Sequence, residues 1–332
     1  MSRWWLQAAV AAALLALLLW RVEVWELGDA LSRFDPWTAL GVVLLNLPTI
    51  ALLAVRTHLA LRRLGYDASV PALLPVSAIG NIAAVLTPGA AGDVIRTPFL
   101  KGRHAVSYAD GFATIVYERG FSFAILCVAT GLVALWAVVP AAARPVVPAA
   151  GLLLLGLPWT LGTLLKRLTR SDGRLANRLR LAGDRAAGAG ERSLSALTIL
   201  ARDQRLGLLF AALTVTIFAL MTLQLWLIGA SLDAGLSPRE AALAVGAGAV
   251  AGIVSLLPLG LGALDWTMTA LLEQAGATLS TAAAAVLLLR ATVTLPAGLI
   301  GLAGYAYLVV WLRRREALAS TEGEQGQAPV SR

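Results

Sequence analysis

Glu118, Arg119 and Arg290 are ionisable residues set within apolar stretches. At mid-membrane an arginine costs at least ~2.5 kcal/mol on insertion scales, so such residues face the bundle interior and find a partner. Two uses follow. In one, a Glu118–Arg290 or Glu118–Arg119 bridge fixes the packing of helices. In the other, Arg290 or Arg119 meets an anionic group and Glu118 tunes it. Two glycine-rich turns accompany these charges. The first runs Pro88-Gly89-Ala90-Ala91-Gly92-Asp93 and closes on Arg96; the second runs Pro258-Leu259-Gly260-Leu261-Gly262 and closes on Asp265. Glycines there permit a tight turn and close backbone approach, and exposed N–H groups at such a turn suit an anion such as a phosphate. The plainer use of each glycine is turn geometry alone. Asp93 and Asp265 are also placed to cap the helices that follow them. Asn81, Asn46 and Gln224, polar residues in apolar runs, read first as hydrogen bonds between helices.

The turns recur in matching surroundings. Each follows an apolar run too short and broken to be an ordinary span, Pro71–Leu86 (interrupted by Pro75, Gly80 and Asn81) and Ala241–Leu257. Asp93 and Glu118 are 25 residues apart, as are Asp265 and Arg290. Two broken apolar segments, each followed by a long apolar helix carrying a charge, point to a duplicated, transporter-like core.

The composition fits that setting. Of 332 residues 58% are hydrophobic and 14% charged, with a mean hydropathy of +0.77, against about half apolar and a quarter charged in soluble domains. The expectation is an all-α polytopic integral membrane protein. Its net charge of +8 is read as the basic bias of cytoplasmic loops, so no nucleic-acid partner is expected. The single cysteine, Cys127, excludes an intramolecular disulfide, and two histidines without a Cys/His cluster leave neither a metal site nor any other cofactor to predict.

About six full spans and two re-entrant segments are expected. The spans are Trp4–Trp20, Trp37–Val55, Gly111–Val139, Val146–Leu165, Gly207–Leu232 and Thr281–Trp311. Trp4–Trp20 lacks a following small-residue cleavage site, so it reads as a retained span rather than a signal peptide. The membrane domain covers 1–316, with a first half at about 37–139 and a second at about 207–312. Between them Lys166–Arg205 holds ten basic and four acidic residues interleaved with leucine, the pattern of a helix on an anionic membrane surface or of a solvated linker. Residues 317–332 are small and polar and are expected to be a disordered cytoplasmic tail. Assigning sides by Lys and Arg puts both termini inside, with the first broken segment dipping from the cytoplasm and the second from the opposite face. That is an inverted repeat.

These features together resemble the flippase-like family that includes the membrane region of lysylphosphatidylglycerol synthases. The resemblance rests on Asn81, the run from Pro88 to Arg96, Glu118-Arg119, the run from Pro258 to Asp265, and Arg290; Arg56, just after the second span, also fits its pattern. It implies a substrate-binding set of Arg56, Asn81, Pro88, Gly89, Gly92, Asp93, Arg96, Glu118, Arg119, Pro258, Gly260, Gly262, Asp265 and Arg290. In the family a basic residue commonly follows Pro-Gly and the second turn; Ala90 and Leu264 stand there, and Ser122 replaces an acidic residue often found after Glu-Arg. No soluble domain follows the membrane region, so aminoacyl transfer is not expected. The resemblance implies a translocase moving a polar or anionic lipid head group across the cytoplasmic membrane, a membrane lipid being its partner. No Gly-x-x-x-x-Gly-Lys-[Ser/Thr] loop is present, so the chain is not expected to hydrolyse ATP by that route or to be an enzyme. One alternative is a glycosyl- or lipid-modifying transferase working through Asp29 and Asp35. Another is a scaffold that holds a lipid-synthesis enzyme through Lys166–Arg205.

Overall fold

The computed structural model describes residues 31–136 and 184–325, with Ala13, Ala16, Leu17, Gly28 and Asp29 nearer the N-terminus. The expected spans Trp4–Trp20 and Val146–Leu165, and the first part of the basic linker, lie outside the described residues. Among the described residues all regular structure is helical.

Helix α1 (Pro36–Leu44) starts where Asp35 accepts the Thr38 N–H at 2.7 Å, with proline at the first position where no donor is lost. It continues after Leu45 as α2 (Asn46–Arg63), and together they form one apolar stretch of 28 residues, long enough to cross a bilayer. Helix α3 (Val70–Leu86) has 17 residues, about 25 Å at 1.5 Å per residue, short of the roughly 30 Å hydrocarbon core. It breaks at Thr87 into a 3₁₀ turn, Pro88–Ile95, and a short α4 (Arg96–His104). The long α5 (Tyr108–Trp136) follows.

After the undescribed segment come α6 (Asp184–Arg202) and the long α7 (Gln204–Ser231). Asp203 joins α7 to the end of α2: it caps the Leu206 N–H and pairs with Arg63. Those two contacts hold its carboxyl below the usual carboxylate range. The pattern then repeats. Helix α8 (Pro238–Val254), opened by a capping box between Ser237 and Glu240, also has 17 residues. It breaks into a turn at Pro258–Gly260 and a short α9 (Ala263–Gln274). A long helix completes the unit: α10 (Leu279–Leu289), one π-helical turn at Arg290–Thr294, and α11 (Leu295–Gln325). Thus α11 runs to Gln325, into the stretch 317–332 expected to be a disordered tail; residues 326–332 lie outside the described residues. The described chain contains four helices long and apolar enough to span: Pro36–Arg63, Tyr108–Leu135, Gln204–Ser231 and Leu279–Trp311.

Each broken helix packs on the long helix of the other unit. Helix α3 lies along α11, and α8 lies along α5; the first turn touches α8, the second turn touches α3, and the two turns touch each other. Small residues make these approaches possible, as expected where apolar side chains gain little from leaving lipid. On α11, Gly298, Gly301 and Gly304 face Ile82, Ala78 and Pro75 of α3, and a Cβ at Gly301 would lie 2.5 Å from Ile82 Cγ2. Helix α6 docks through one face and leaves residues 188–192 exposed. Ala196 and Leu200 are buried, Arg192 pairs with Asp110 at 3.0 Å, and the Ser193 hydroxyl donates to the Ala109 carbonyl.

Candidate functional site

A cavity of about 410 Å³ lies between the two broken helices, with both turns in its wall. That is within the usual size of small-molecule sites, about 300–1,000 Å³. Of the residues singled out from sequence, Arg56, Asn81, Asp93, Arg96, Glu118, Arg119, Gly260 and Arg290 line it. Gly92, Pro258, Gly262 and Asp265 lie behind the wall, in the turns or, for Asp265, in the first turn of α9; Pro88 and Gly89 contribute backbone to the first turn.

The first turn carries the deeper charge cluster. Asp93 is 0% exposed and is shared by two arginines. Arg119, from α5, donates its Nε–H to Asp93 Oδ2 at 2.8 Å. Arg96, at the start of α4, donates Nη2–H to the same oxygen at 3.0 Å and holds its Nε 2.7 Å from Oδ1, close in charge but off the line of a hydrogen bond. Arg96 also donates to Glu118 Oε2 at 2.6 Å and to Thr57 Oγ1 at 3.1 Å. Arg96 is buried, and its guanidinium joins the first turn, α5 and α2. Gly80 of α3 makes room for it, since a Cβ there would meet Arg96 Cδ at 2.2 Å and Asp93 Oδ1 at 2.3 Å.

The second turn repeats the device in a simpler form. Asp265, also 0% exposed, accepts Arg290 Nε at 2.6 Å on Oδ1 and Nη2 at 2.8 Å on Oδ2, a two-point fork. Its Oδ2 also accepts the Gly262 N–H at 2.8 Å, so it caps α9 and neutralises an arginine at once. The turn is strained: Leu256 and Leu259 take positive φ of 54° and 59°, a region unfavourable to residues with a Cβ, beside Gly260 and Gly262 at 59° and 82°. The Arg290 terminal nitrogens reach the Leu259 carbonyl at 3.3 and 3.4 Å and hold that conformation. Arg290 itself sits on the π-helical turn, a distortion that recurs at functional sites in long helices.

These contacts correct the expected pairing. Glu118 bonds Arg96, and Arg290 bonds Asp265, so neither a Glu118–Arg290 nor a Glu118–Arg119 bridge forms among the described residues. The repeated unit is an aspartate after a turn paired with an arginine on the next long helix: Asp93 with Arg119, 26 positions on, and Asp265 with Arg290, 25 positions on.

Arg56 is buried in the middle of α2. It donates to the Glu118 carbonyl at 2.9 Å and stacks over the Phe210 ring at 5.2 Å. Asn46 and Gln224 act as hydrogen bonds between helices, donating to the carbonyls of Thr292 and Val42. Reading the sequence missed Ser77 and Thr214, which line the cavity, and Phe210, which lies against Arg56; each is a single residue on an apolar helix.

Long apolar helices around two broken helices, with a buried charge cluster between them, define a multi-pass membrane protein. The chain belongs to the family described as the lysylphosphatidylglycerol synthase TM region, which matches residues 4–301. It is similar to a UPF0104 membrane protein of Methanothermobacter thermautotrophicus, 25% identical over 307 residues, which are 85% of this chain and 88% of that protein. It is also similar to glycosyltransferase AglD of Haloferax volcanii, 27% identical over 119 residues, 36% of this chain and 19% of that protein.

Proposed function

We propose that this protein is a lipid translocase that moves a polar or anionic head group across the cell membrane through the cavity between the two broken helices. The observation that carries this reading is a charge-lined cavity walled by both turns, inside a bundle whose broken helices are exchanged between two repeated units. Charged groups within a membrane bundle mark a path for polar cargo, and non-helical backbone at that depth is tolerated where it lines such a cavity. The volume suits a head group, while acyl chains stay in the bilayer. In this reading the units are inverted, both termini are cytoplasmic, and the two turns part on alternate faces around the site. Membership of the family supports the same class of activity.

The transferase alternative has less to stand on. Asp35 caps α1 and Asp29 pairs with Arg33, so both carboxylates already serve the local fold. The region similar to AglD is 19% of that protein's length.

Access from both sides is the discriminating property. In a Cys127→Ser background, Asn81→Cys places a thiol on the cavity wall. Sealed vesicles of each orientation, treated with a membrane-impermeant maleimide, should label this thiol from both faces. Labelling from one face only, or from neither, contradicts alternating access.

A further inference from the structure

We infer that the group held in the cavity is a phosphate, gripped by Arg56 and Arg119; this rests on the translocase reading and names its ligand. Each arginine carries five N–H donors, and the four around the cavity spend them differently. Arg96 and Arg290 are each paired with buried carboxylates. Every nitrogen of Arg96 faces Asp93, Glu118 or Thr57, and every nitrogen of Arg290 faces Asp265 or the Leu259 carbonyl. They clamp the two turns, and most of their donors are spent on protein acceptors.

Arg119 is different. It commits Nε to Asp93, while its terminal nitrogens donate to no described residue, and its side chain is 41% exposed on the cavity wall. Arg56 is 5% exposed, yet no carboxylate among the described residues comes within ion-pair distance of it. Its one hydrogen bond goes to the neutral Glu118 carbonyl, and its Nε is buried without a partner. A buried guanidinium without a direct ion pair is costly, and an anion in the cavity would relieve it.

Both arginines meet the same turn of α5, one through the carbonyl of Glu118 and the other as the next residue. Two more polar atoms on the cavity wall, Ser77 Oγ from α3 and Thr214 Oγ1 from α7, are buried without partners. Around the cavity four arginines (Arg56, Arg96, Arg119, Arg290) stand against three carboxylates (Asp93, Glu118, Asp265), leaving one net positive charge. A planar carboxylate is satisfied by a single guanidinium fork. A tetrahedral phosphate presents oxygens in several directions, matching two guanidiniums and hydroxyls that arrive from separate helices.

The test uses the purified full chain in detergent and native mass spectrometry with three lipids of identical acyl chains: phosphatidic acid, phosphatidylglycerol and an uncharged glucosyl diacylglycerol. Both phosphate-bearing lipids should bind at least about tenfold tighter than the glucoside, one decade being about 1.4 kcal/mol. Arg56→Gln and Arg119→Gln should each remove about that factor, while Arg33→Gln, remote from the cavity, leaves it unchanged. If Arg56→Gln does not fold, Arg119→Gln, on a part-exposed side chain, decides the matter. Excess inorganic phosphate separates the sources. Displacement of the lipid by phosphate means that the site takes phosphate with or without acyl chains; persistence of the lipid selectivity without displacement means that it takes lipid phosphate. Glucoside binding equal to that of phosphatidic acid, or undiminished binding in Arg119→Gln, overturns the inference. A phosphate lipid that is bound but not carried across liposomes would sink the translocase reading and leave this site standing. An uncharged lipid carried as fast as a phosphate lipid would do the reverse.

Discussion

Asp93→Asn is expected to destabilise the protein by about 3–5 kcal/mol, the cost of removing one partner from a buried ion pair. Asp93 is the shared counter-ion of Arg96 and Arg119. Its loss leaves three arginines, with Arg56, around Glu118 alone. The volume hardly changes, so the effect is electrostatic and cannot be attributed to a packing defect. Arg96 cannot escape to solvent, since it is enclosed by Gly80, Thr57 and Glu118, whereas Arg119 can turn into the cavity. The measurement is chemical unfolding in a fixed detergent or bicelle, wild type beside Asp93→Asn and Asp93→Glu. A loss below about 1 kcal/mol for Asp93→Asn would place the cluster in a wet environment, where ion pairs contribute at most that much.

The second large effect concerns the other turn and has a built-in control. Asp265→Asn should cost a similar ~3–5 kcal/mol, because Arg290 is left buried and the cap on Gly262 is weakened. Arg290→Met should also destabilise, by stranding Asp265. The double variant Asp265→Asn/Arg290→Met is expected to recover most of the sum, since replacing both members of a buried pair by neutral groups is often close to neutral. The coupling read from this cycle should be large. Part of the loss should persist in the double variant, because Arg290 also holds the Leu259 carbonyl of the strained turn. Additive single losses would show that the pair does not interact in the folded protein.

Much of this arrangement was legible in the sequence. Apolar runs of span length, two short runs broken by proline and glycine, and two Pro-containing glycine turns followed by an aspartate sufficed for the four described spanning helices, the turns and most of the charged cavity lining. Pairing was not legible, for a geometric reason. Residues 118 and 119 lie about 100° apart around a helix of 3.6 residues per turn. A spacing of 25 or 26 from the turn therefore cannot say whether Glu118 or Arg119 faces Asp93; the tertiary packing of α5 decides. Arg96 heads a run with Lys101, Arg103 and His104 that reads locally as a basic loop. In the fold Arg96 begins α4 with its side chain turned inward, while Arg103 stacks on the rings of Tyr307 and Trp311. Ser77, Thr214 and Phe210 carried no local signal: each is a single residue on an apolar helix, and only the fold brings Ser77 and Thr214 to the cavity wall and Phe210 against Arg56.

The central claim is that the cavity carries a lipid head group from one leaflet to the other. The most direct measurement reconstitutes the protein in liposomes containing tail-labelled fluorescent phosphatidylglycerol and adds dithionite, which bleaches only label exposed on the outside. With the wild-type protein, label should be lost from both leaflets, with or without an imposed ion gradient according to the energy source. With the Arg56→Gln/Arg119→Gln double variant, loss should stop at the outer leaflet. Wild-type liposomes in which the inner-leaflet label survives under every gradient, or a double variant as active as the wild type, would contradict the account.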